Sequence, residues 1–156
     1  MSARESRQFG DWFEGIIAAL LKQMTEMSFS KHYRYPDKKS TGGGYANKQP
    51  ADFFLLTQGM HIDIECKSSV VHTDFKKCFK GLIKDHQIAA SVKTKRAGGR
   101  YLFLFCSKDL KMVEIWDAAD LREAYSMPRM KLKGEPMSVL PFNDTMSEFL
   151  AQFTKG

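Results

Sequence analysis

Residues 50–67 read PADFFLLTQGMHIDIECK, and this stretch decides the fold. Two runs of strong β propensity, 51–57 and 60–67, flank Gln58 and Gly59, which marks a β-hairpin, although Gln before Gly signals a turn less strongly than Asn before Gly. A turn of two residues, or of four, makes paired positions sum to 117 and puts Ala51, Phe53, Leu55, Ile62, Ile64 and Cys66 on one face. That face is apolar throughout. Side chains alternate with period two, so the opposite face carries Asp52, Phe54, Leu56, His61, Asp63, Glu65 and Lys67.

In this register Asp52 lies directly across from Glu65, with Cβ atoms about 4.5–5.5 Å apart. Lys67 projects from the same face about 6.6–6.8 Å further along. Two carboxylates in one small space repel at neutral pH unless a cation compensates them, and a hard divalent ion such as magnesium does so. Lys67 can then reach a bound water or a phosphate oxygen, a combination suited to phosphodiester hydrolysis. The same trio also fits an ordinary salt-bridged surface. Asp63 shares the face, either as an extra ligand or, as expected near a hairpin tip, solvated outward.

Outward from the hairpin, apolar residues every three or four positions from Phe9 to Met24 predict an amphipathic helix over 6–27, with Trp12 in its core stripe. Glu14 interrupts that stripe between Phe13 and Ile17, so the helix presents an acid toward the sheet, where burial is costly unless it meets a cation. An extended run is expected at 29–35. A basic, glycine-rich loop follows over 36–49, with Lys38, Lys39, Lys48 and the triplet 42–44. Downstream, the pattern predicts a second helix over 82–95, strands at 101–106 and 112–116, and helices at 118–125 and 145–153. Pro128, Pro136 and Pro141 punctuate an irregular segment between the last two. This order gives one α/β domain with a mixed sheet flanked by helices.

Composition narrows the function classes. The chain has 156 residues, 43% hydrophobic and 27% charged, enough for one ordinary core and unlike a disordered or fibrous chain. No uncharged apolar run approaches the roughly 18 residues of a membrane span. Arg4, Glu5 and Arg7 stand where a secretory leader is apolar, so a cytoplasmic protein is expected. Cys66, Cys78 and Cys106 are an odd set without a zinc-ligand spacing, and His61, His72 and His86 fit no ligand pattern either, so they read as surface or supporting residues. The net charge of +6 is concentrated in residues 1–100, with 17 bases against 10 acids. Lys76, Lys77, Lys80, Lys84, Lys93, Lys95, Arg96 and Arg100 face only Asp85 among the acids of that interval, and nucleic acid is the leading partner.

Pro50-Ala51-Asp52, thirteen residues on to Glu65, then Cys66 and Lys67, resembles the PD-(D/E)XK nuclease motif. From about Phe13 to Leu121 the chain is similar, more narrowly, to the RecU-like Holliday junction resolvases. Phe13-Glu14, Lys48-Gln49-Pro50, Asp85-His86-Gln87 and Gly98-Gly99 before an apolar strand carry the likeness. The resemblance implies a restriction-endonuclease-like fold in which Asp52, Glu65 and the backbone carbonyl of Cys66 bind Mg2+, with Mn2+ as a substitute. It further implies that Lys67 assists the attacking water, Glu14 supports the site and Gln87 approaches from the second helix. A homodimer would cut opposing strands of branched DNA, leaving a 5′-phosphate and a 3′-hydroxyl.

Two departures stand out. The family's stalk insertion is reduced here to 36–49, which weakens the case for junction specificity and points to a phage-like member, and Ala51 replaces a threonine. The basic loop is then expected to touch DNA. The alternatives are another nuclease of the superfamily acting on flaps, branched or foreign duplex DNA, and a DNA-binding recombination accessory protein that does not cut.

Overall fold

The computed structural model describes residues 2–27, 29–36, 49–71, 73–108, 112–126 and 134–141. A helix α1 (Ala3–Met27) leads into β1 (Ser30–Arg34), β2 (Phe53–Thr57) and β3 (Met60–Ser69). Two helices follow, α2 (Phe75–Leu82) and α3 (Asp85–Arg96), then β4 (Arg100–Ser107), β5 (Met112–Asp117), α4 (Ala118–Ser126) and β6 (Ser138–Pro141). The six strands form one sheet in chain order. Only β3 and β4 pair in parallel, since α2 and α3 carry the chain back between them, and every other neighbour is antiparallel. The expected mixed sheet with flanking helices is what the chain adopts.

Each face of the sheet buries its own core. On one, Phe13, Ile17, Leu21 and Met24 of α1 pack on Phe53, Leu55, Ile62, Ile64, Leu102 and Leu104. On the other, Phe75 and Phe79 of α2 and Leu121 of α4 pack on Tyr101, Phe103, Phe105 and Trp116. Strand β4 serves both faces by strict alternation, which is why its sequence is continuously apolar. Full burial of each such side chain contributes about 1.5–3 kcal/mol.

The hairpin register is the expected one, with Phe53 opposite Ile64 and Leu55 opposite Ile62. Gln58 (φ 46°) and Gly59 (φ 79°) are both left-handed, as a two-residue turn matched to strand twist demands. Ala51, however, leaves the Phe53 face and joins the Phe75 and Phe103 core on the other. Period-two alternation holds only inside the ladder, and the chain bends at Asp52.

Three other expectations change. Trp12 is 51% exposed, stacked on Phe9 at 5.5 Å, because it lies a helical step of about 100° round from the buried Phe13. The helix expected over 82–95 is α3, which starts at Asp85, and a further helix that the sequence reading did not mark, α2, precedes it, the two joined through Ile83 and Lys84. Ile83 turns extended (φ −84°, ψ 132°) and is buried, while Asp74 caps α2 by accepting from Lys77 N at 3.0 Å. The segment read as irregular contains the edge strand β6, where a terminal proline is tolerated. The helix expected at 145–153 and Pro128 lie outside the described residues.

Glu114 ties the second core together. Its buried carboxylate accepts from Phe75 N at 3.1 Å and from Trp116 Nε1 at 3.2 Å. Glu114→Ala strands both donors, with an expected loss of about 2–3 kcal/mol in urea unfolding, whereas Glu114→Gln keeps an acceptor and loses less. A Cβ on Gly99, just before β4, would stand 2.7 Å from His61 O, so only glycine allows that approach. No helix among the described residues is long and apolar enough to cross a membrane.

Candidate active site

The bend at Asp52 builds the site. Its C=O still accepts from Tyr35 N at 2.8 Å, in register with β1, and its N–H donates to Ile64 O at 3.1 Å. At Cys66 of β3 the side chain acts in place of a backbone carbonyl: Oδ2 accepts from Cys66 N at 2.8 Å. Asp52 therefore sits at the open end of the β2–β3 ladder rather than stacking across it, a correction to the simple cross-strand pairing with Glu65. The paired ladder ends one residue earlier, at Phe53 and Ile64.

From α1, Glu14 reaches the same end of the sheet. Its carboxylate interacts electrostatically with that of Asp52, and its Oε2 accepts from Arg34 Nη2 at 2.8 Å. Glu65 points to the α3 side, where its Oε1 accepts from Gln87 Nε2 at 2.7 Å and lies 3.2 Å from Lys67 Nζ. The Glu65 and Lys67 side chains are only 8% and 11% exposed, so their attraction is little screened by water.

Gln87 belongs to α3, the third helix, and is fixed at both ends. As the third residue of that helix it returns Oε1 to accept from Lys84 N at 3.0 Å, one half of a capping box, and this aims its amide at Glu65. Gln87→Ala takes the amide donor from the buried Glu65 carboxyl, with an expected loss of about 1–3 kcal/mol in urea unfolding.

The electrostatics are those of crowded, dry carboxylates. Burial, then the Asp52 charge, pushes Glu14 up to about 7 against the pull of Arg34. Burial, then Asp52, pushes Glu65 up to about 8 against Lys67. Asp52 is also raised by burial, opposed by the Cys66 N–H and by Lys67. Each acid holds its proton above its ordinary range chiefly because burial penalises the charged form, and for Glu14 and Glu65 the neighbouring Asp52 charge adds to that. The Cys66 thiol lies on the α1 face, raised by burial and inert.

Among the described residues, no group of three or more His, Cys, Asp or Glu side chains is arranged to hold a metal ion. Magnesium does not require such a cage. It keeps several waters and is held through one or two carboxylates plus substrate oxygens. Asp52, Glu65 and the Cys66 carbonyl match that donor set in kind.

Other candidate residues are placed less uniformly. Lys76 is 2.5 Å from Glu135, Lys77 3.8 Å from Asp74 and Arg100 2.9 Å from Asp117, so three of the eight bases expected as a DNA patch are ion-paired. Lys80 lies over the Phe79 ring. Lys84, Lys93, Lys95 and Arg96 are exposed along α3, the last three in its final turn, where they also favour the helix dipole. Lys38, Lys39, Lys48 and His72 lie outside the described residues.

Asp63 is not solvated outward. It is 2% exposed and accepts from Tyr35 Oη at 2.7 Å, His61 Nε2 at 2.8 Å and Thr94 Oγ1 at 2.6 Å. Sequence reasoning missed Arg34 and this network, because their partners come from strands and helices distant in sequence. No family model matches the chain, and no curated protein matches it significantly.

Proposed function

We propose that the protein is a Mg2+-dependent, structure-selective DNA endonuclease of the PD-(D/E)XK type, resolving four-way junctions as a RecU-like homodimer. The observation that carries the reading is the meeting of Glu14, Asp52 and Glu65 with Lys67 at the open end of one hairpin. Asp52, Glu65 and the Cys66 carbonyl would hold the ion, with Mn2+ able to replace Mg2+. The ion would supply charge neutralisation and a more acidic water.

The chain's own groups have separable tasks. The Lys67 ammonium, 3.2 Å from Glu65, orients the attacking water or offsets charge building on the phosphate oxygens. Gln87 holds Glu65 in one rotamer. Arg34 fixes Glu14 on the α1 side. The exposed bases of α3 track the DNA backbone, and each phosphate contact steepens the salt dependence of binding by about 0.9 in logarithmic slope.

The test is a parallel assay on labelled four-way junction, flap and linear duplex with magnesium. Paired cuts confined to the junction support resolution. Equal digestion of linear duplex removes the resolvase assignment and leaves a nuclease. Junction binding with no cutting of any substrate identifies a recombination accessory protein and sinks the enzyme.

A further inference from the structure

Beside the acidic cluster, and on the same face of the sheet as Glu65, lies a cavity of about 570 Å³. Its volume falls within the roughly 300–1,000 Å³ range of small-molecule sites. Tyr35, His61, Asp63, His86, Lys93 and Thr94 contribute to its wall. Two chain relations tie it to the acidic cluster: His86 precedes Gln87, and Pro50 stands two residues before Asp52.

The wall is preorganised for something flat. The buried Asp63 carboxylate holds two rings at once, through the Tyr35 hydroxyl and His61 Nε2, and a third bond from Thr94 anchors it to α3. The His61 ring is also backed by Phe54, stacked at 5.0 Å with an interplanar angle of 13°, and Phe54 is in turn stacked on Tyr33 at 5.0 Å. Tyr35 tilts against the same Phe54 ring. Rings locked in this way meet a planar ligand with little loss of rotamer freedom, which is how stacking sites gain affinity. Lys93 is exposed at the wall and supplies a cation for a neighbouring phosphate.

Resting on the nuclease reading above, we infer that this cavity receives one unpaired nucleobase of the bound strand, next to the phosphate presented to Asp52, Glu65 and Lys67. An unpaired base at a branch point costs less to unstack than one in a regular duplex, so such a pocket favours branched over linear DNA without reading sequence.

The experiment is equilibrium binding in EDTA, where cutting plays no part, using a fluorescent single strand and a strand of the same length whose central residues are abasic. The two carry the same phosphates. The full-length protein is expected to bind the base-bearing strand about tenfold more tightly. Ala90→Phe fills the cavity and should abolish that preference while leaving affinity for the abasic strand unchanged. Should that variant unfold on a thermal melt, Ala97→Phe enters the same cavity from an exposed position and carries the same expectation.

Equal affinity of the wild type for both strands overturns the inference, as does a preference that persists in a folded cavity-filled variant. Junction cutting with no base preference removes the pocket and keeps the nuclease. Base preference without any cutting in magnesium does the reverse. Failure to bind either strand overturns the pocket and leaves the nuclease to the cutting assay.

Discussion

Asp52→Asn, Glu65→Gln and Lys67→Ala are each expected to lower single-turnover cleavage of a four-way junction by at least about 100-fold, the scale of losing one preorganised charge-stabilising group. The three should part company in binding. Neutralising an acid removes repulsion toward phosphate, so the Asp52 and Glu65 variants keep or improve junction affinity in EDTA. Lys67→Ala removes a cation 11% exposed at the site, and its affinity should fall. A wild-type cutting rate in Asp52→Asn would sink the assignment, because Asp52 is the residue for which the ladder is interrupted.

The second large effect is on stability, and it runs opposite to activity. In the unfolded chain Glu65 ionises at about 4.5, whereas in the folded protein burial and Asp52 hold its proton to about 8. Glu14 behaves alike, with a folded value of about 7. Their contribution is therefore fully present below about pH 4.5 and is lost as pH climbs through about 8, since the unfolded state releases protons that the folded state must keep or give up at a cost. In EDTA near pH 8.5, Glu65→Gln is expected to raise Tm by about 5 °C, equivalent to on the order of 2 kcal/mol for a chain of this size. Near pH 4 the two proteins should melt together. Magnesium at about 100 times its dissociation constant should stabilise the wild type by about 2.7 kcal/mol and the Glu65→Gln protein far less. A wild type whose melting ignores both pH and magnesium would show that the three acids are not coupled through a shared ion.

The hairpin shows why part of the fold was legible. Once the turn falls on Gln58 and Gly59, the pairing of Phe53 with Ile64 and the apolar face follow from strand period alone, because a slip of one residue would invert every side chain. Phe13, Ile17 and Leu21 were equally readable as the stripe of α1, and so was the intrusion of Glu14 into it. The break between α2 and α3 was not. Gly81 stands just before it but inside α2, and the break exists because burying Ile83 and returning Gln87 to Lys84 N satisfies the chain only with the sheet in place.

The sequence alone therefore determined the mixed sheet and its elements other than α2 and β6, and periodicity and spacing, which are local properties, singled out Glu14, Asp52, Glu65 and Lys67, whereas Gln87 was pointed to only by the family resemblance. Tertiary structure decided their geometry. Asp52 leaves the ladder to occupy Cys66 N, Arg34 arrives from β1 to hold Glu14, and Asp63 turns inward to gather Tyr35, His61 and Thr94. The physical reason is common to all three: a carboxylate wholly or partly withdrawn from water must find a partner, and suitable donors belonged to other elements brought close only by folding.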